Sequence, residues 1–140
     1  MAKSITVHAT AVSIAGRAAV IRGASGRGKS ALALQLMALG AGLIADDQVV
    51  LTQTKDQLIA SCPPTLRGMI EARGIGILNA AVQDPAPVAV VVDLDRVESE
   101  RLPPHRTVTI VGCEVPLIYH TGRVEFASAL MQFLRAGRNA

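Results

Sequence analysis

The chain has 140 residues, enough for one domain, and half of them are hydrophobic although only two Phe, one Tyr and no Trp are present, so the core must be aliphatic. With so few rings and scattered charges summing to +3, there is no stacking platform or basic run, and no nucleic-acid partner is expected. The longest apolar run, Val88 to Val92, is far too short to cross a membrane, no N-terminal leader pattern is visible, and Cys62 and Cys113 lie far apart, so a cytoplasmic protein with reduced thiols and no membrane partner is expected.

In chain order, residues 4–22 alternate and are rich in β-formers, with a turn at Ala15-Gly16-Arg17, and predict a small antiparallel meander. His8 falls in this apolar stretch, where a lone histidine reads as a hydrogen-bonded core residue. The run Ala18-Ala19-Val20-Ile21 predicts a buried strand. It leads into Gly23-Ala24-Ser25-Gly26-Arg27-Gly28-Lys29-Ser30, which fills every fixed position of the phosphate-loop pattern G-x-x-x-x-G-K-[ST]. Each position has a physical task. Gly23 and Gly28 let the backbone turn and approach an anion closely, and successive N–H groups cradle phosphate oxygens. Lys29 brings a mobile charge to the β/γ-phosphates, and the Ser30 hydroxyl suits Mg²⁺. Residues 31–39 are strong helix formers, so the loop should open a helix whose N-terminus favours an anion, with Gly40 as its stop.

Leu43-Ile44-Ala45 predicts a short strand ending in Asp46-Asp47. Carboxylates at strand ends face the same crevice as a phosphate loop, and adjacent strand residues point to opposite sides, so one of the two could face a metal or act as base. Further strands are expected at 48–52 and 58–60, with a turn near Lys55-Asp56. Pro63-Pro64 breaks the chain, and Leu66 to Glu71 reads as a short helix or a loop. Glu71 and Arg73 precede a glycine-rich turn and would share a face if extended. They suit either a Mg²⁺ ligand beside a phosphate-binding arginine or a surface ion pair of little worth. Asp84 to Pro87 reads as a loop and Val88 to Val92 as a buried central strand ending at Asp93. Arg96 to Arg101 is charged and expected to be exposed, and Pro103-Pro104 stops it. Strands are expected at 107–111 and 115–119. Residues 124–135 predict a helix whose stripe Phe126, Ala129, Leu130, Phe133 and Leu134 faces the core.

Together, His8, the phosphate loop, Asp46-Asp47 and the string Glu71-x-Arg73-Gly74-x-Gly76-Ile77-x-Asn79 resemble the catalytic domain of HPr kinase/phosphorylase. His8 lies 21 positions before Lys29 and Asp46 17 after it, spacings that belong to the same resemblance. The resemblance implies an α/β fold: a single P-loop domain over residues 1–140, of the phosphoenolpyruvate carboxykinase-like type, with a mixed sheet and flanking helices and without the family's separate N-terminal domain. It implies a kinase that phosphorylates a serine of the phosphocarrier protein HPr with ATP or pyrophosphate and Mg²⁺, and that can remove the phosphate by phosphorolysis. Carried onto this chain, Lys29 would hold the β/γ-phosphates, and Ser30 and Glu71 would bind Mg²⁺. Asp46 would be the general base, and His8 would tune it, since an imidazolium lowers the pKa of a nearby carboxylate. Arg101 would be a later catalytic arginine, and Arg73 with residues 23–30 would bind the phosphates. A homo-oligomer, hexameric in the family, is implied as well. The family's dephosphorylation loop, V-[RK]-P-G-R-N-like, is reduced here to Tyr119-His120-Thr121-Gly122-Arg123. The residues alone also admit a nucleotide-sensing module with little turnover, or a kinase with another acceptor.

Overall fold

The structure is a computed structural model that describes residues 3–140. The alternating segments become strands β1 (Ser4–His8), β2 (Thr10–Ile14) and β3 (Arg17–Arg22), followed by helix α1 (Lys29–Ala38). Strands β4 (Gly42–Ala45), β5 (Gln48–Thr54) and β6 (Gln57–Ser61) come next, then a 3₁₀ turn at Pro64–Leu66. A small hairpin, β7 (Met69–Ala72) and β8 (Gly76–Asn79), precedes the long strand β9 (Ala86–Val97). Strands β10 (Arg106–Ile110) and β11 (Cys113–His120) and helix α2 (Phe126–Ala136) complete the described chain.

Among the described residues, nine strands form one mixed sheet built around β9. Along one side β9 pairs in parallel with β3. Along the other its first residues pair antiparallel with β6, and its later ones pair in parallel with β11. From β3 the sheet continues through β2 to β4, and from β6 through β5 to β1. This is the mixed sheet with flanking helices expected from the sequence.

Parity along the strands makes two cores. Ala19, Ile21, Val90, Val92 and Leu94 face α1 and α2, where they meet Leu32, Leu36, Leu130 and Leu134. Ala18, Val20 and Val91 face the opposite way and pack with Ile44, Leu51, Leu58 and Val115 inside the curl of the sheet. Val88 lies in this second core although Val90 and Val92 lie in the first. A register shift between Ala18 and Ala19 explains it, because one extra residue on β9 reverses the parity beyond it.

Several expectations are corrected. The 4–22 meander is only half right: β2 and β3 form a hairpin, but β1 pairs with β5. β2 is buried and flanked by β3 and β4, so it has no free edge for β1. The short helix or loop expected at 66–71 holds only as far as residue 68, where Leu66 ends the 3₁₀ helix and a turn follows, because Met69–Ala72 pairs with Gly76–Asn79. Ala86 and Pro87 belong to the central strand, which runs on to Val97. Arg96 to Arg101 is not uniformly exposed: the Glu98 side chain is covered by Arg106, which donates to both of its carboxylate oxygens at 3.0 Å. In α2 the core stripe uses Ala127 and Met131, whereas Ala129 is exposed.

Candidate active site

β3 delivers the chain into the loop at residues 23–28 and α1 takes it out at Lys29, so the loop opens the helix as expected. Gly28 at the helix start has φ +96° and Gly26 has φ +86°, backbone that an L side chain adopts only at a cost. Lys29 is only 8% exposed, and its ammonium donates to the Gly23 carbonyl at 2.8 Å and the Ala24 carbonyl at 3.4 Å. An ammonium has three donors, so these contacts leave one for a ligand.

The end of β9 holds the other limb of the loop. The Ala24 N–H donates to both Asp95 carboxylate oxygens, at 3.0 and 3.1 Å, and Arg27 pairs with the same carboxylate at 3.3 Å. Asp93 in turn accepts from the Asp95 N–H at 2.9 Å and pairs with Arg22 at 3.3 Å. This Asp93-x-Asp95 pair is not among the site residues expected above. The signal was there, because carboxylates at the carboxyl end of a central strand next to the phosphate-loop strand face that crevice.

A cavity of about 870 Å³ opens beside the loop. It is lined on one side by Ser25, Gly26, Gly28, Lys29 and Ser30, and on another by His8, Thr10, Asp46 and Asp47. The β7–β8 hairpin closes the third side with Glu71, Arg73, Ile75 and Ile77. In the hairpin register Glu71 stands opposite Ile77, while Arg73 lies in the turn rather than on a shared strand face with Glu71. Of the other expected site residues, Gly23, Ala24 and Arg27 form the rear of the loop, against Asp95. Arg101 lies outside the lining, exposed in a bend after β9.

The two adjacent aspartates have separate environments. Asp46 is 8% exposed, and each of its oxygens accepts a hydrogen bond. Its Oδ1 accepts the hydroxyls of Thr10 and Ser30, each at 2.8 Å, and its Oδ2 accepts the Glu71 N–H at 3.0 Å. Asp47 is turned out into the cavity with its side chain 64% exposed, and its residue has φ +71°. A non-glycine residue in this region is held by its surroundings, and such positions gather at functional sites. His8 is also exposed, and its Nδ1 lies 3.4 Å from Asp47 Oδ1. It is therefore not a core histidine, and it faces Asp47 rather than Asp46.

Ser30 and Glu71 supply hard oxygen donors to one cavity. The Ser30 hydroxyl spends its proton on Asp46, which leaves its lone pairs for a cation. The donor set fits Mg²⁺, which takes one or two protein oxygens and completes its shell with phosphates and water.

Comparison with known proteins shows the family of the chain. The family model described as "HPr Serine kinase C-terminal domain" matches residues 1–119. Among curated relatives, HPr kinase/phosphorylase of an Exiguobacterium species is 35% identical over 84% of this chain and 42% of its own length. That of Brevibacillus brevis is 32% identical over 100% of this chain and 52% of its own length. The chain thus spans about half the length of these relatives. The solved structure of the Hpr(Ser) kinase/phosphatase from Coxiella burnetii superposes with a TM-score of 0.78 at 30% identity, covering 94% of each chain.

Proposed function

The chain belongs to the HPr serine kinase C-terminal domain family, and on that premise we propose that it is a Mg²⁺-dependent kinase that moves the γ-phosphoryl group of ATP onto a serine of HPr. The observation that carries this reading is one cavity uniting Lys29 and Ser30 of the loop with an exposed Asp47 steadied by His8. Residues 23–30 act as a P-loop of the phosphoenolpyruvate carboxykinase-like type, whose backbone N–H groups and Lys29 meet the β/γ-phosphates. Ser30 and Glu71 would hold Mg²⁺, which supplies charge neutralisation between the phosphates. Arg73 faces the same space and adds a cation.

The base is Asp47 rather than Asp46. A base must reach the acceptor's hydroxyl, and both oxygens of Asp46 are already committed to Thr10, Ser30 and Glu71. Asp47 takes the serine proton as the serine oxygen attacks the γ-phosphorus in line. The bond to the β–γ bridging oxygen breaks and ADP leaves with its charge met by Lys29. His8, its Nδ1 3.4 Å from Asp47 Oδ1, steadies the Asp47 carboxylate as an ion-pair partner when its ring carries a proton. Most of the acceleration comes from positioning and charge. Ile75 and Ile77, 79% and 64% exposed at the cavity rim, suit a protein acceptor that covers them. Arg101 receives no role within the cavity, and homo-oligomerisation belongs to the same reading.

The test is mass spectrometry of purified HPr after incubation with this protein, Mg²⁺ and ATP, and again after adding inorganic phosphate. One phosphoryl group on a serine is expected, and its removal by phosphate would add phosphorolysis. ATP binding without transfer would overturn the kinase reading in favour of a nucleotide-sensing module.

A further inference from the structure

Among the described residues that line the cavity, Thr10 is the one hydroxyl residue that is completely buried, at 0% exposure. It lies at the start of β2, paired with Ile21 of β3, so a rigid part of the sheet carries it. Its hydroxyl has a single proton, given to Asp46 Oδ1 at 2.8 Å. The same oxygen accepts Ser30 at 2.8 Å, and the other carboxylate oxygen accepts the Glu71 N–H at 3.0 Å. Asp46 therefore ties four elements together: β2, the start of α1, the end of β4 and β7.

We infer that Thr10 is a positioning residue for the cation site: it locks the plane of the Asp46 carboxylate so that Ser30 must present its lone pairs to the cavity. The argument rests on the functional reading above, in which Ser30 and Glu71 hold Mg²⁺. A carboxylate held only by Ser30 and by one backbone N–H could turn about its Cβ–Cγ bond. Ser30 would follow it, and the Oδ1 lone pair that Thr10 no longer occupies would be open to the cavity as a competing donor. With Thr10 in place, Oδ1 is held from the sheet as well as by Ser30, Oδ2 is held by the Glu71 N–H of β7, and the Ser30 hydroxyl and the Glu71 side chain are left as oxygen donors to the cation. Groups that orient a metal ligand from behind typically govern affinity by ten- to a hundredfold, about the size of effect expected here.

The experiment compares wild type with Thr10→Val, which keeps the shape and removes the donor, and with Thr10→Ser, which keeps the donor and loses the methyl. The readout is the Mg²⁺ concentration needed for half-maximal binding of a fluorescent ATP analogue, with HPr phosphorylation measured in parallel and thermal melts as the folding control. Thr10→Val is expected to raise the Mg²⁺ requirement by about tenfold or more, and Thr10→Ser by no more than about threefold. An unchanged requirement in Thr10→Val, or equal losses in both variants, would overturn the inference, the second because it assigns the effect to packing. Should Thr10→Val fail to fold, Thr10→Cys, of similar volume and with a weak donor, is read by the same criteria. If the wild type binds the Mg²⁺–nucleotide but transfers nothing to HPr, the kinase reading falls while the comparison at Thr10 still stands or fails on binding. No Mg²⁺-dependent binding by the wild type would overturn the inference outright.

Discussion

His8 Nδ1 stands 3.4 Å from the Asp47 carboxylate at the open face of the cavity, while Asp46, one residue earlier, is buried in the cavity wall. The pair is held by backbone geometry. His8 lies opposite Gln48 in the β1–β5 register, the Ala9 N–H donates to the Asp47 carbonyl at 3.3 Å, and Asp47 takes a left-handed turn between β4 and β5. Two adjacent carboxylates thereby stand in different environments, Asp47 exposed to the cavity and Asp46 hydrogen-bonded to Thr10, Ser30 and Glu71, and the proposed mechanism gives proton transfer to the first.

Asp47→Asn should lower transfer to HPr by about a hundredfold or more, the usual worth of a general base, and leave nucleotide affinity within a few-fold. Asp46→Asn should instead weaken Mg²⁺-dependent nucleotide binding, because it disturbs the acceptor of the Ser30 hydroxyl. Phosphoserine formation measured by mass spectrometry, with nucleotide binding measured separately, distinguishes the two. Near-normal turnover in Asp47→Asn would remove Asp47 as the base.

Asp95 grips the loop from the opposite side, through the Ala24 N–H and Arg27. Asp95→Ala frees a limb of the loop that binding must then order again, and a charge-assisted hydrogen bond is worth about 1.5–3 kcal/mol. The KM for ATP should rise by about tenfold with kcat changed much less. Steady-state kinetics decides it, and tighter nucleotide binding by the variant would mean that Asp95 competes with phosphate for the Ala24 N–H.

The parts of the site written contiguously were legible in the sequence. The phosphate loop, its strand and its helix follow from local chemistry alone, and so does the presence of carboxylates after β4. What separates Asp46 from Asp47 is not local. It depends on Thr10 and Glu71 approaching from β2 and β7, contacts of 36 and 25 residues' separation that no periodicity encodes. Apolar neighbours alone make His8 read as a core residue, and only the family resemblance puts it at the site, yet β1 is an exposed edge strand that pairs with β5. The β7–β8 hairpin escaped because it is short and interrupted by glycines, and its pairing follows from closing the cavity rather than from strand propensity.

Ala15 offers a stability test far from the cavity. It and Gly16 form the two-residue turn between Ile14 and Arg17, with φ of +54° and +73°. That backbone suits Asn-Gly, and an alanine there carries the left-handed penalty. Ala15 is exposed, so replacing it disturbs no packing. Ala15→Asn should raise stability by up to about 1 kcal/mol, which for a domain of this size is about 2–4 °C in Tm, with phosphoryl transfer unchanged. An unchanged or lower melting temperature would contradict the turn assignment.

Glu98 should mark the acid limit of the fold. The Arg106 guanidinium, donating at 3.0 Å to each oxygen, holds the Glu98 carboxyl below the usual carboxylate range, and the Ser99 and Glu100 N–H groups act in the same direction. Arg106 is itself stacked over Tyr119 at 4.6 Å, so the pair clamps the end of β9 to β10 and β11. Because the carboxyl ionises more readily in the folded chain than in the unfolded one, its contribution is fully present above the unfolded pKa of about 4.3 and is lost as pH falls through the lower folded value. Glu98→Gln removes that contribution at neutral pH and should have a melting temperature that declines less steeply than the wild type's between about pH 5 and about pH 3. Parallel slopes for the two proteins across that window would show that Glu98 does not set the acid response.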